Sequence, residues 1–146
     1  MYALMKTYHL ERFVQAQENI YATALSELKA GRKRSHWMWF VFPQIDGLGH
    51  SETTRFYSIK SLKEAQAYLN HPLLGPRLLE CTQAVLAHPD STLMEIFGKP
   101  DNKKFCACMT LFESVAENKT LFNSAIQQFC NAERSQKTMD ILHPLS

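Results

Sequence analysis

Six apolar residues stand in unbroken succession, Trp37-Met-Trp-Phe-Val-Phe42, followed by Pro43-Gln44 and preceded at once by Arg32-Lys-Arg-Ser-His36. A run this apolar has to be buried, and burying it draws Ser35 and His36 at one end and Gln44 at the other toward the interior. Polar groups held at the edge of a core are how a pocket arises. A continuous apolar run carries no period, so it suits either a buried strand or a short buried helix. The aromatics and Val41 favour the extended form, and Pro43 bars a helix from continuing. In that form Trp37 and Trp39 share a side.

The rest of the chain reads as helices. From Leu10, apolar residues at Phe13, Ala16, Ile20, Tyr21, Ala24, Leu25 and Leu28 describe one helical face. Asn19 offers a break and a cap, and Gly31 suits a helix C-terminus. Asp46 to His50 is a glycine loop. Ser61-Leu-Lys-Glu64 and Thr92-Leu-Met-Glu95 are capping-box patterns that open helices. His71-Pro72 closes the first of these helices and Gly98 the second. Gly75-Pro76 opens another, with its proline in the first turn. Asp101 is placed to cap a helix facing inward with Phe105, Cys108, Met109, Phe112 and Val115. Two more follow, around Phe122 to Cys130 and from Ser135.

These elements predict a mainly α, compact, single-domain protein with one buried apolar segment, residues 37–42. Residues 1–9 form an N-terminal extension, and 10–146 the helical domain. With 146 residues, 45% apolar and 21% charged, the chain is neither disordered nor in need of metal or disulfides for its core. The formal charge of +2 points to nucleic acid only through its local concentration at Arg32–Arg34. Six apolar residues fall far short of the ~20 that cross a bilayer. The N-terminus has no secretory pattern, which leads us to expect a cytoplasmic protein whose Cys81, Cys106, Cys108 and Cys130 are free thiols.

Several blocks resemble the bacterial domain of unknown function 1810 family. They are Arg12-Phe-Val-x-Ala-Gln17, Gly31 through Gln44, Gly47-Leu-Gly49, Tyr57, Ser61-Leu-x-Glu-Ala65, Tyr68-Leu69, His71-Pro-x-Leu-Gly-x-Arg-Leu78 and Met109-Thr-Leu-Phe112. The resemblance implies a compact helical protein and supplies no activity. Where the family pattern reads Asp-Asp-x-Lys-Leu-x-Ser-Ser, this chain has Asp101-Asn-Lys-Lys104-Phe-Cys-Ala107-Cys108. Where the pattern has Asp three residues before Thr, Ser135 precedes Thr138. These serines read best as small helix-packing residues.

Candidate chemistry centres on the opening segment. His36 is the acid–base candidate, because histidine titrates near neutral pH, unless it merely satisfies backbone groups beside the tryptophans. Asp101 is a second catalytic candidate, with helix capping as its structural role. Arg34 and Lys104 are candidate anion ligands. Trp37 and Trp39 would stack on a ligand ring or belong to the core. Gln44 would read a ligand's polar edge or tie down the glycine loop. No metal or cofactor is expected, since no histidine or cysteine spacing suits one.

Three functions follow. The first is a pocket for a small anionic or nucleotide-like molecule, with or without enzymatic activity. The second is a nucleic-acid-binding module using the 32–34 run, and the third a protein-interaction or regulatory module without catalysis. Oligomeric state is not fixed by any of these residues.

Overall fold

The computed structural model describes residues 8–144. Among them are ten helices and no strand beyond one isolated bridge, Ile45 with Ile59. In order they are α1 (Glu11–Gln17), α2 (Tyr21–Lys29), α3 (Met38–Val41), α4 (Glu52–Tyr57), α5 (Leu62–Asn70), α6 (Leu74–Leu86), α7 (Leu93–Phe97), α8 (Asp101–Val115), α9 (Thr120–Phe129) and α10 (Gln136–Leu142). The protein is mainly α. Residues 1–7 of the expected extension lie outside the described residues; Tyr8 and His9 are tied to the domain.

The central element is α8, which buries Phe105 and an unbroken stretch from Ala107 to Glu113. It packs against α5 on one side and α9 on another, with α7 and α10 near its ends. The second layer is α6 against α2, α5 and α9. Helix starts follow local chemistry: Ser51, Ser61 and Ser135 each accept the backbone N–H three residues on, and Thr92 and Glu95 complete a reciprocal capping box. The long periodic stretch from Leu10 breaks at residues 18–20, as expected, but no side chain caps α2, so Asn19 does not play that part.

The 37–42 run is helical rather than extended. Val41 N–H donates to Trp37 O at 3.1 Å and Phe42 N–H to Met38 O at 3.1 Å. A buried backbone must satisfy its own polar groups, and with no strand alongside, a single helical turn does so. Residues two apart on a helix face nearly opposite ways. Trp37 is therefore fully buried while Trp39 is half-exposed, which corrects the expectation of a shared side. Trp37 and Phe42 join Phe97 and Phe105 in an aromatic cluster with ring centroids 5.3–6.5 Å apart. At such spacing the rings contribute about 0.5–1.5 kcal/mol per pair beyond their burial.

Two polar staples fix the periphery. Arg12, almost wholly buried, donates to the carbonyls of Tyr8, His9, Phe56 and Ser58 and to Glu64 Oε2 at 2.7 Å. The second staple is the disulfide between Cys106 and Cys130, whose Cα atoms are 5.9 Å apart. It overturns the expectation of four free thiols; only Cys81 and Cys108 are free, both buried. The half-exposed edge of α8 lies beside the end of α9, and a spacing of 24 residues carries no hint of that.

Candidate functional site

The basic loop of residues 32–36 is organised by a residue that pattern reading passes over, Glu27 on the last turns of α2. Gly31 turns the chain back with φ 81°, a conformation suited to glycine. The loop then wraps Glu27. Its carboxylate accepts the Arg34 N–H (2.9 Å), the Ser35 N–H (3.0 Å), the Ser35 hydroxyl (2.6 Å) and the Trp37 indole N–H (2.8 Å). Burial alone would raise its pKa, but these four donors outweigh it and hold the carboxyl down to about 2. Ser35 is thus engaged with Glu27, not with His36.

The expected site residues consequently separate. His36 and Arg34 are exposed, and Trp37 is sealed in the core. Asp101 is the first residue of α8, not its cap, and it bonds Lys33 Nζ at 2.9 Å and Lys104 Nζ at 3.5 Å. Lys33, the middle of the basic run, is largely buried over the Trp37 ring, 5.1 Å from its centroid. Both roles are those of an ion pair rather than of an acid or base poised for a substrate.

Trp39, Gln44 and Lys104 do come together. With Met38, Thr54 and Tyr57 they line a narrow slot of about 10 Å³, room for little more than one water. Lys104 Nζ lies over the Trp39 ring, 5.4 Å from its centroid, so that face is occupied. The slot shares Gln44, Thr54 and Lys104 with a wider cleft of about 330 Å³. Three cationic side chains border this cleft: Lys103 and Lys104 from the first turn of α8, and Lys137 from α10. No carboxylate, histidine or cysteine is on its described wall. The remaining wall is the glycine loop at Leu48-Gly49, Pro100, Ala107 and Ser135. Lys103 and Lys137 are exposed and make no ion pair among the described residues. Sequence reasoning missed Lys137 and Thr54 here, because only the return of α10 to α8 and the packing of α4 on α3 bring them in.

The glycine loop is held from outside the cleft. Asp46 Oδ1 accepts the Ser58 hydroxyl at 2.6 Å, and the Lys60 ammonium lies 3.4 Å away; the hydroxyl and then, against burial, the ammonium lower its pKa. Two positions set apart in the sequence, Ala107 and Ser135, both face the cleft, whereas Cys108 is buried in the core. Among the described residues no group of three or more histidine, cysteine, aspartate or glutamate residues could hold a metal, and no helix is long and apolar enough to cross a membrane.

The profile of the family described as protein of unknown function (DUF1810) matches residues 7–142. The chain belongs to that family. A solved structure, that of the conserved hypothetical protein Rv1873 from Mycobacterium tuberculosis, is 46% identical. The similarity covers 94% of this chain and 99% of that one, with a TM-score of 0.92, so the helical arrangement is shared throughout. No curated protein matches the chain.

Proposed function

We propose that this DUF1810 protein binds a small anion-bearing metabolite, of the phosphate-ester class, in the cleft between α8, α10 and the glycine loop. The observation that carries the reading is the convergence on one concavity of Lys103 and Lys137, which make no ion pair among the described residues, beside Lys104, which shares Asp101 with Lys33; no described carboxylate is among the lining residues. Its volume suits a small ligand, for which clefts of roughly 300–1,000 Å³ are usual. Gln44, Thr54 and Ser135 supply neutral polar groups at the same wall. The family pattern would place Asp at 135; serine there leaves the wall more positive in this chain. Binding is favoured over catalysis because no histidine or carboxylate lies among the described residues of the cleft wall to act as a general acid or base. Trp39 lines the adjoining slot rather than the cleft, and Lys104 lies over one face of its ring, so it is not the stacking platform of this reading.

The nucleic-acid alternative draws less support. Lys33, at the centre of the basic run, is committed to Asp101, and Lys60 to Asp46.

The test is a thermal-shift series with inorganic phosphate, pyrophosphate, sugar phosphates and nucleoside phosphates. A ligand at 100 times its Kd adds about 2.7 kcal/mol to stability. The shift is expected to disappear in Lys103→Gln and Lys137→Gln and to survive in Arg34→Ala and His36→Ala, whose side chains do not line the cleft. If no compound stabilises the protein, or the lysine variants keep the full shift, the reading fails.

A further inference from the structure

Beyond the lysine cleft, one chemically competent group has no part in the site: the Cys106–Cys130 disulfide. The two other cysteines are fully enclosed; burial pushes the Cys81 thiol up to about 12 and that of Cys108 well above its usual range. Cys106 is only half-buried. Both bridged cysteines border a second opening of about 360 Å³ with Asn102 and Phe129, and that opening shares Lys103 and Ser135 with the lysine cleft. A thiol reagent therefore has an approach to the bond, and the bond lies one wall away from the proposed ligand.

The segment after Cys130 depends on this bridge. Asn131 and Ala132 are left-handed, φ 57° and 60°, a conformation asparagine accepts but one that is costly for alanine. Three ties hold the segment to α8, at positions four and then three apart along the helix. They are the disulfide at Cys106, the Ser135 N–H donating to Thr110 Oγ1 at 3.0 Å, and Arg134 paired with Glu113. Of these, the disulfide is the only covalent one and the one nearest the left-handed residues. Beyond Ser135 the chain enters α10 and delivers Lys137 to the cleft.

We propose that Cys106 and Cys130 form a reversible thiol–disulfide exchange site whose redox state sets the order of residues 130–137 and, through Ser135 and Lys137, the affinity of the cleft. The second half of this statement rests on the anion-binding reading. The chemistry needs a dithiol reductant of the thioredoxin or dithiothreitol class. One of its thiolates attacks Sγ of Cys106, the less buried of the two cysteines; the S–S bond breaks, and Cys130 Sγ leaves as a thiolate and takes up a proton. The second thiol of the reductant then displaces Cys106 from the mixed disulfide. The reductant departs as its own disulfide, and two electrons and two protons have passed to the protein. Re-oxidation by a small disulfide such as oxidised glutathione runs the same steps in reverse.

The chain is treated with oxidised glutathione or with dithiothreitol, and a portion of each form is unfolded in urea so that all its thiols are counted by alkylation and mass. Amide hydrogen exchange over residues 130–138 and calorimetric binding of inorganic pyrophosphate are then measured on both forms. The doubly substituted Cys106→Ser, Cys130→Ser protein serves as a form that cannot re-oxidise; should it not fold, the reduced native chain carries the comparison. The expected result is two reactive thiols fewer after oxidation, exchange about tenfold faster in the reduced form, and pyrophosphate bound about fivefold more weakly by it. Four reactive thiols after oxidation, or equal exchange in both forms, overturn the proposal whatever pyrophosphate does. Different exchange with equal pyrophosphate binding overturns the link to the cleft. Different exchange with no pyrophosphate binding in either form supports the exchange site and overturns the anion-binding reading instead.

Discussion

Replacing Glu27 by glutamine removes the charge around which the basic loop is wrapped, while keeping the size of the side chain. In the native chain its carboxylate accepts four hydrogen bonds, two of them from the backbone of the loop. Glutamine keeps one acceptor oxygen and turns an NH2 group toward donors. The drop from the ordinary value of 4.5 to about 2 corresponds to about 3 kcal/mol, at ~1.4 kcal/mol for each tenfold change in proton affinity. The carboxylate is partly open to solvent, which reduces the expected loss to about 2 kcal/mol. For a chain of this size that is a fall in Tm of roughly 6 °C at pH 7. Because the folded-state pKa lies below the unfolded one, the contribution is complete above 4.5 and is lost as pH falls toward 2. Urea unfolding of native and Glu27→Gln protein should give a constant gap from pH 8 to about 5.5, with more than half of it gone by about pH 3. No gap at pH 7, or a gap unchanged between pH 7 and pH 3, refutes the reasoning.

Two other substitutions probe the frame that positions the cleft. Arg12→Met strands the buried Glu64 carboxylate and four backbone carbonyls, and should cost about 3–5 kcal/mol in urea unfolding; a loss below about 1 kcal/mol would show that water replaces the guanidinium. Gly75→Ala would set a Cβ 2.0 Å from Leu69 O, where the start of α6 crosses the end of α5. The two helices must separate, at a cost of about 1–3 kcal/mol, and a Tm equal to the native one would refute that close approach.

The helix plan was legible where termini carry their own chemistry. The capping box at Thr92 and Glu95 forms as written, and Gly98 ends α7. By contrast α4 has no apolar period and no buried residue, so composition could not announce it. Glu64 shows a half-legible case: Ser61 caps α5 as expected, but the Glu64 side chain turns to Arg12 and to the Lys60 N–H, because a buried guanidinium is a stronger partner than a cap. In the site, Trp39 and Gln44 were within reach of sequence reasoning because one lies in the apolar run and the other just beyond it, and Lys104 because it is a cation at the start of a helix. His36 was named for its chemistry alone and lies exposed on the loop, whereas the placing of Trp37 beside Trp39 depended on an extended segment that is in fact helical. The partnership of Glu27 with residues 34–37 was hidden because it depends on how far Gly31 turns the chain.

The position of Arg12 bears on how the chain reaches this state. α1 is the first described helix to leave a ribosome; it packs on α3, and the rest of what it docks on comes much later. Its guanidinium waits for the carbonyls of residues 56 and 58 and for Glu64, and its Phe13 ring for Tyr57 and Tyr68. Closing those contacts spans roughly fifty residues of chain, the kind of separation that slows folding. A seven-residue helix has little stability of its own. α1 thus stays incompletely docked during synthesis until α5 has emerged, with the Arg12 contacts closing after those to α3.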